Sequence, residues 1–236
     1  MKIGKTQLVP IYLFLLAAIP AYCQRGTIGL DVGQTSDRFG GAARVSDLEA
    51  DLEGQVTALR GGGKNNLPSL VAGGEARFPA NTQKHATEYA LFAGPAFHFG
   101  SHFSAGFHAQ VRKIDLPPSI MNGQVFNRLN MELLELPFVA EYKFGSAPRR
   151  AFLEAQIAPE FSPHYKTAAA GPPPVPKPQF DHGYTIRGSA GYVFGRWYAK
   201  ATYETRYFKF TQSIGNPSEL YNWRTNRVTG GVGFVF

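Results

Sequence analysis

Residues Arg224–Phe236 read RTNRVTGGVGFVF. Counting back from the last residue in steps of two gives Phe236, Phe234, Val232, Gly230 and Val228. The set between them is Val235, Gly233, Gly231, Thr229 and Arg227. One face is aromatic and aliphatic and the other is small or polar. This is the period-2 alternation of a strand whose two sides meet different solvents. A soluble sheet rarely stops on an apolar strand with an aromatic last residue. The closing strand of a membrane barrel places such a residue in its interfacial girdle.

The same alternation recurs upstream. Thr27–Arg38 sets Ile28, Leu30 and Val32 against Gly29, Asp31 and Gly33, and Thr87–Phe99 sets Tyr89, Leu91, Phe97 and Phe99 against Glu88 and His98. Ser101–Lys113 is the clearest, with Phe103, Ala105, Phe107 and Val111 opposite Ser104, His108, Gln110 and Arg112. Asn130–Phe144, Arg150–Phe161, Gly183–Phe194 and Arg196–Phe210 behave alike. Beyond the first 23 residues no 18-residue apolar run exists, which excludes helical spans. Alternating strands cross lipid only as a closed barrel, because an open edge leaves backbone groups unsatisfied.

The connections point the same way. Gly100, GSAPR at 145–149 and Gly195 are short, and the intervening connections are long. Short and long links alternate in outer-membrane barrels, with tight periplasmic turns and long outer loops. The prediction is an all-β, closed antiparallel transmembrane β-barrel of eight strands, with both termini on the periplasmic side. Residues 39–86 leave an alternative open, since two weaker alternating segments flank GGGKNN there. They form either an outer hairpin or an extra strand pair in a ten-stranded barrel. Eight is preferred because both segments are poor in aromatic residues. Residues 163–181 are proline-rich and are expected outside the sheet as a stiff outer loop.

The N-terminus suits export. Lys2 and Lys5 precede the apolar run Leu8–Ile19, and Ala21-Tyr22-Cys23 offers a cleavage site before Gln24. Residues 1–23 are therefore expected to be a Sec-type signal peptide and 24–236 the barrel domain. Tyr22 stands where a lipidation motif wants a small residue. Cys23 is the single cysteine, so the mature chain would have no disulfide, thiol nucleophile or thiolate metal site. Removing Lys2 and Lys5 lowers the formal charge from +7 to +5, a modest basic excess suited to anionic surfaces such as lipopolysaccharide. No zinc-finger spacing, basic helix or RNA-binding signature is present, and no nucleic-acid partner is expected.

The segments MELLELPFVAEYKFG (131–145) and AFLEAQIAPEFSP (151–163) resemble the strand–turn–strand core of the PorT-type outer-membrane β-barrel domain. That family stands in the wider group of OmpA- and OmpX-type small barrels. ALFAGPAFHFGSHFSAGFHAQV (90–111) and GSAGYVFGRWYAKATYETRYF (188–208) follow the same order. The closing strand, through Val228, Val232, Phe234 and Phe236, resembles the C-terminal assembly signal of Gram-negative outer-membrane proteins. The resemblance implies an outer-membrane location and partners in the barrel-assembly machinery, periplasmic chaperones, outer-membrane lipids and lipopolysaccharide. It supplies no active site.

Alternation turns Asp31, Glu88, Glu135, Glu141, Glu154, Glu160 and Glu204 inward, with Arg112, Lys143, Arg187, Lys200, Arg206 and Arg227. In a barrel of about eight strands the interior is just wide enough to be filled by side chains, and buried charges must be paired. Near-equal numbers of acids and bases point to a structural charge network plugging the lumen. His102-Phe103-Ser104 offers a His-x-Ser pattern like that of lipid A deacylases, but both side chains are expected in the lumen beside a tight turn. His98, His102 and His108 lack a diagnostic metal spacing. Phe97, Phe99, Trp197, Tyr203 and Tyr207 are expected in lipid-facing belts, and Tyr221 and Trp223 either there or in an adhesive loop. The reading is a monomeric, non-enzymatic barrel without cofactor or metal, acting structurally or as a surface-binding platform through its long loops. A narrow porin-like channel is the alternative, and a lipid-modifying barrel enzyme the third.

Overall fold

The computed structural model describes residues 25–39, 44–58, 68–82, 85–116, 126–146, 148–169, 178–212 and 221–236. The expected signal peptide, the GGGKNN stretch and the prolines at 172–174 and 176 lie outside the described residues.

Twelve strand segments make one sheet. They are β1 (Arg25–Phe39), β2 (Val45–Ala58), β3 (Ser69–Pro79), β4 (Thr87–Phe99), β5 (Phe103–Phe107), β6 (Ala109–Leu116), β7 (Phe126–Glu135), β8 (Phe138–Ser146), β9 (Arg149–Ala169), β10 (Pro178–Phe194), β11 (Trp197–Gln212) and β12 (Tyr221–Val235). They fill ten positions in a ring, because β5 continues into β6 past His108 and β7 into β8 past Leu136-Pro137. β4 pairs with both β5 and β6, and β9 pairs with both β7 and β8. β1 closes the ring against β12 from Thr27↔Val235 to Phe39↔Trp223. Every pairing is antiparallel, and no helix occurs among the described residues.

The ladder breaks where proline has no N–H to give. Pro95 lies on β4, Pro137 at the β7–β8 junction and Pro159 on β9. Around them His108 N donates to Pro137 O at 2.9 Å and Leu136 N to Pro159 O at 3.2 Å.

The expected count of eight is corrected to the alternative of ten. β2 and β3 are wall strands, paired from Arg25↔Thr57 through Ala58↔Leu70 to Ser69↔Ala96. Their outward positions mix the exposed Leu48, Leu52, Leu70 and Phe78 with the small Gly54, Ala72, Gly74 and Ala76, and aromatic content is therefore a poor guide to membership of the wall. A second correction concerns 163–181. β9 runs to Ala169 and β10 begins at Pro178, so much of that stretch belongs to strands. Pro163 is tolerated because the β7–β9 register shifts between Glu132 and Leu134, opposite it.

Stepping directly across from Arg38 to Arg224, Tyr207, Tyr184 and Pro159, and on around the ring through Ala93, Ala72 and Val56, returns to β1 at Gly26. The stagger is therefore 12 residues (38 − 26). Such a shear tilts barrel strands by about 35–45°. Tight turns at Gly100 and Gly195 (both φ 71°) reverse the chain in conformations that suit glycine. They lie at the end where Arg25 and Phe236 also stand, and Gly26 exchanges two backbone hydrogen bonds with Phe236 (2.9 and 3.0 Å). The 59–67 connection joins β2 to β3 at this same end, the one long link among short ones.

Apolar side chains cover the outside. Leu30, Val32, Leu91, Phe99, Val111, Phe138, Ile157, Trp197, Tyr203, Val228 and Val232 are all exposed, Val228 at 60%. Phe97, Phe99, Trp197 and Tyr203 stand where the sequence puts a lipid-facing belt. Polar and charged groups are buried inside, an inversion of the soluble arrangement that a lipid surround requires.

The charged lumen as candidate functional site

Three zones follow one another along the lumen. The middle zone is ionic and is centred on Glu88 of β4, whose side chain is 0% exposed. Its carboxylate accepts from Arg206 (2.7 Å), Arg112 (3.0 Å), Arg77 (3.5 Å) and Arg227. Glu204 of β11 receives both terminal nitrogens of Arg77 at 2.6 Å each, a forked pair, and Arg227 at 2.7 Å. Arg227 reaches on to Glu49 at 3.1 Å, Arg112 to Glu135 at 2.8 Å, and Arg206 to Glu160 at 3.4 Å. Thr185 donates to Glu160 at 2.7 Å, and Gln110 donates to Glu135. Arg77 also meets Asp51 at 3.4 Å and Glu75.

This web draws one or more members from nearly every wall position, so each ion pair is also a tie across the lumen. Guanidiniums hold it together because a planar fork satisfies two carboxylate oxygens at once and loses little hydration on burial. Towards the tight turns it continues through Glu53, which accepts from Arg187 (3.1 Å), Tyr198 (3.2 Å) and Lys200. Arg187 also donates to Glu75 at 3.3 Å, and Lys200 meets Asp31 at 3.1 Å. Tyr198 lies across Gly29 and Gly233 on the strands facing it, where any side chain would collide with the ring.

At the tight-turn end the lumen loosens. Lys143 and Glu141 pair while remaining 18% and 27% exposed. Ser104 donates to Glu141 at 3.3 Å, and Glu154 stands in register with Glu141 and Ser189 at intermediate exposure.

At the loop end the interior turns apolar. Phe208, Phe210, Trp223, Ile114, Met131, Leu133 and Ala86 form one buried cluster, with Phe180 packed against it. Trp223 and Phe208 stack at 4.9 Å, and Trp223 is 0% exposed. Beside the cluster Asp37 accepts from Thr225 (2.6 Å) and Trp223 Nε1 (3.0 Å) and meets His85 Nδ1 at 2.8 Å. The placement of Trp223 corrects the expectation of a belt or an adhesive loop. Its parity with Arg227 and Thr225 on β12 puts it inside. The side chain of Tyr221 lies outside the described residues.

Each charged residue named for the lumen from the sequence is found on the inner face, at buried or intermediate exposure. Sequence reasoning missed Glu49, Asp51, Glu53, Glu75 and Arg77, because β2 and β3 were not assigned to the wall. Continuing the inward count through those strands names all five. They tip the near-balance of acids and bases towards acid. His102 departs from expectation: it lies in the turn with its ring exposed, its Nδ1 2.9 Å from Lys143 O, and does not enter the lumen. His98 meets Ser69 at 3.0 Å and His108 stacks on Phe92 at 5.1 Å, and no metal-ligand cluster occurs among the described residues. The terminal set Val228, Val232, Phe234 and Phe236 lies on the outer face, with Val228, Val232 and Phe236 exposed.

A closed ring of tilted antiparallel strands, apolar outside and ionic inside, defines an outer-membrane-type β-barrel. No family model matches the chain, and no curated protein does. Among solved structures it is similar to the outer membrane protease OmpT from Escherichia coli (10% identity, 90% of this chain and 96% of that one, TM-score 0.45). It is also similar to the translocator domain of the autotransporter NalP from Neisseria meningitidis (12%, 96% and 95%, TM-score 0.43) and to Neisserial surface protein A (12%, 89% and 96%, TM-score 0.38). These likenesses concern barrel architecture and assign no activity to this chain.

Proposed function

We propose that the protein is a non-conducting, non-enzymatic resident of the outer membrane, a structural barrel that presents its long loops at the surface. The observation that carries this reading is the filled lumen, above all Glu88 held by four arginines at 0% exposure beneath the buried Trp223–Phe208 stack. A hydrated conduit needs polar groups that water can reach, and the middle zone offers few. Buried charges without partners would be prohibitively costly, and mutual pairing is the physical reason these remain in place. Catalysis by a hydroxyl would need an oriented base within hydrogen-bond reach. Ser104 does donate to Glu141 and Ser69 meets His98 at 3.0 Å, but the Glu141 carboxylate is already paired with Lys143, and His102, the histidine of the His-x-Ser pattern, is engaged at the turn. Non-enzymatic character is therefore part of the proposal. The terminal strand would serve recognition by the assembly machinery during biogenesis.

Liposome swelling tests the reading. Proteoliposomes carrying the folded barrel should exclude small sugars as protein-free liposomes do, and sugar-driven swelling above that background would reject a closed lumen.

A further inference from the structure

Charges on the outer wall are rare, and where they face each other across strands their signs are opposite. Lys113 stands opposite Glu132, and Lys209 binds Asp181 at 2.9 Å. The β1–β12 seam breaks this rule. Arg38 stands directly opposite Arg224, and both are exposed on the face that carries Leu30, Val32, Val228 and Val232. Exposed Arg44 precedes Val45, the partner of Asp37, and so stands one step on, at the level of Arg38. Arg38 on β1 and Arg224 on β12 thus face each other, with Arg44 just ahead of β2 at the same level. Like charges directly opposite on neighbouring strands repel. Among the described residues, none of the three has a carboxylate partner.

The surroundings say what would neutralise them. Below the arginines the wall passes through Ser36 and Asn226, which pair with each other, to Gln34 and Val228 and then to Val32. The row therefore stands where the apolar belt gives way to polar groups at the loop end, the depth of lipid headgroups. Beside it the Arg224 guanidinium lies 5.8 Å from the Tyr207 ring centre, and Tyr207 packs on Tyr184 at 5.6 Å. This holds Arg224 in place by cation–π contact. Asn226 accepts from Thr205 at 2.9 Å, which adds a polar shelf beneath.

We propose that Arg44, Arg38 and Arg224 form a binding site for the phosphate groups of a phosphorylated lipid headgroup in the leaflet at the loop end, with Tyr207 as its aromatic flank. Guanidiniums bind phosphate oxygens through paired N–H donors, and a headgroup carrying two phosphates spans adjacent arginines. The inference rests on the barrel's lying in a lipid membrane and is independent of whether its lumen conducts.

The test is binding of diphosphoryl lipid A to the whole barrel in detergent, read by native mass spectrometry. R38Q/R44Q/R224Q is compared with wild type and with K113Q/E132Q, which removes charge from the wall elsewhere. Each basic residue at a membrane surface is worth enough that losing three should weaken lipid A binding about a hundredfold. K113Q/E132Q should bind as wild type does. Inorganic pyrophosphate should compete weakly, because it lacks the acyl chains that lie along Val32 and Val228. Equal lipid A binding by the triple variant overturns the site, and pyrophosphate competing as well as lipid A overturns its assignment to lipid. The heat-dependent gel shift of a folded barrel checks the triple variant. The single substitution R44Q, at an exposed residue just before β2, repeats the test with less risk to folding. A swelling signal in the liposome assay would leave this result untouched.

Discussion

The two ends of the lumen are closed by different means. At the loop end, Trp223, Phe208, Phe210, Ile114, Met131 and Leu133 exclude water by packing. At the tight-turn end, Lys143 and Glu141 pair in partial contact with solvent. Between them the ionic web around Glu88 is as dry as the apolar cluster but is held by charge. The difference separates two tasks. Apolar packing keeps water out but discriminates poorly between strand registers. A buried ion pair costs desolvation, yet it is satisfied only when particular residues on distant strands meet, as with Arg77 and Glu204, 127 residues apart. The middle zone is thus best understood as what selects this ring closure, and the loop-end cluster as what shuts it.

That comparison is broken most sharply by removing the hub. Glu88→Ala leaves four arginines facing one another without their shared acid, and breaking a buried pair costs about 3–5 kcal/mol. Urea unfolding of the refolded variant should show a loss at the top of that range, or no folded fraction on a heat-shift gel. A loss below about 1 kcal/mol, the scale of exposed ion pairs, would mean the web contributes little. Trp223→Ala should cost about 3–5 kcal/mol through lost burial and the space it leaves, and should raise hydrogen exchange at β11 and β12 near the loop end while sparing Lys200. Uniform exchange along β11 would show that the zones are not separate. Asp37→Asn keeps the shape but weakens the contacts from Thr225, Trp223 and His85. It should cost about 1–3 kcal/mol by the same urea measurement. Lys143→Gln should be smallest, under about 1 kcal/mol, because its pair is solvated.

Much of this was legible in the chain. Period-2 alternation from Ile28 to Phe236 defines the faces, and the closing strand and the short turns at Gly100 and Gly195 define a barrel. Strand number was misjudged because the count leaned on aromatic residues, and β2 and β3 carry one, Phe78, while Leu48, Leu52 and Leu70 supply the outer apolar surface instead. The inward charges could be named because facing depends on parity alone. Their partners could not, since Glu88 meets Arg206 and Arg227 only after the 12-residue stagger is set, and stagger is a property of the closed ring. The apolar loop-end cluster was missed for a related reason. Phe208 and Trp223 share parity with Arg206 and Arg227, but the expectation of a polar interior concealed them.

Single-channel recording of the folded wild-type barrel in a planar bilayer tests the central claim directly. A lumen closed by both zones predicts a flat baseline across the voltage range at which the membrane itself stays intact. Discrete, reproducible current steps would contradict it. Their selectivity for cations would then identify the carboxylates of the middle zone, enriched by Glu49, Asp51, Glu53 and Glu75, as the lining of a pore.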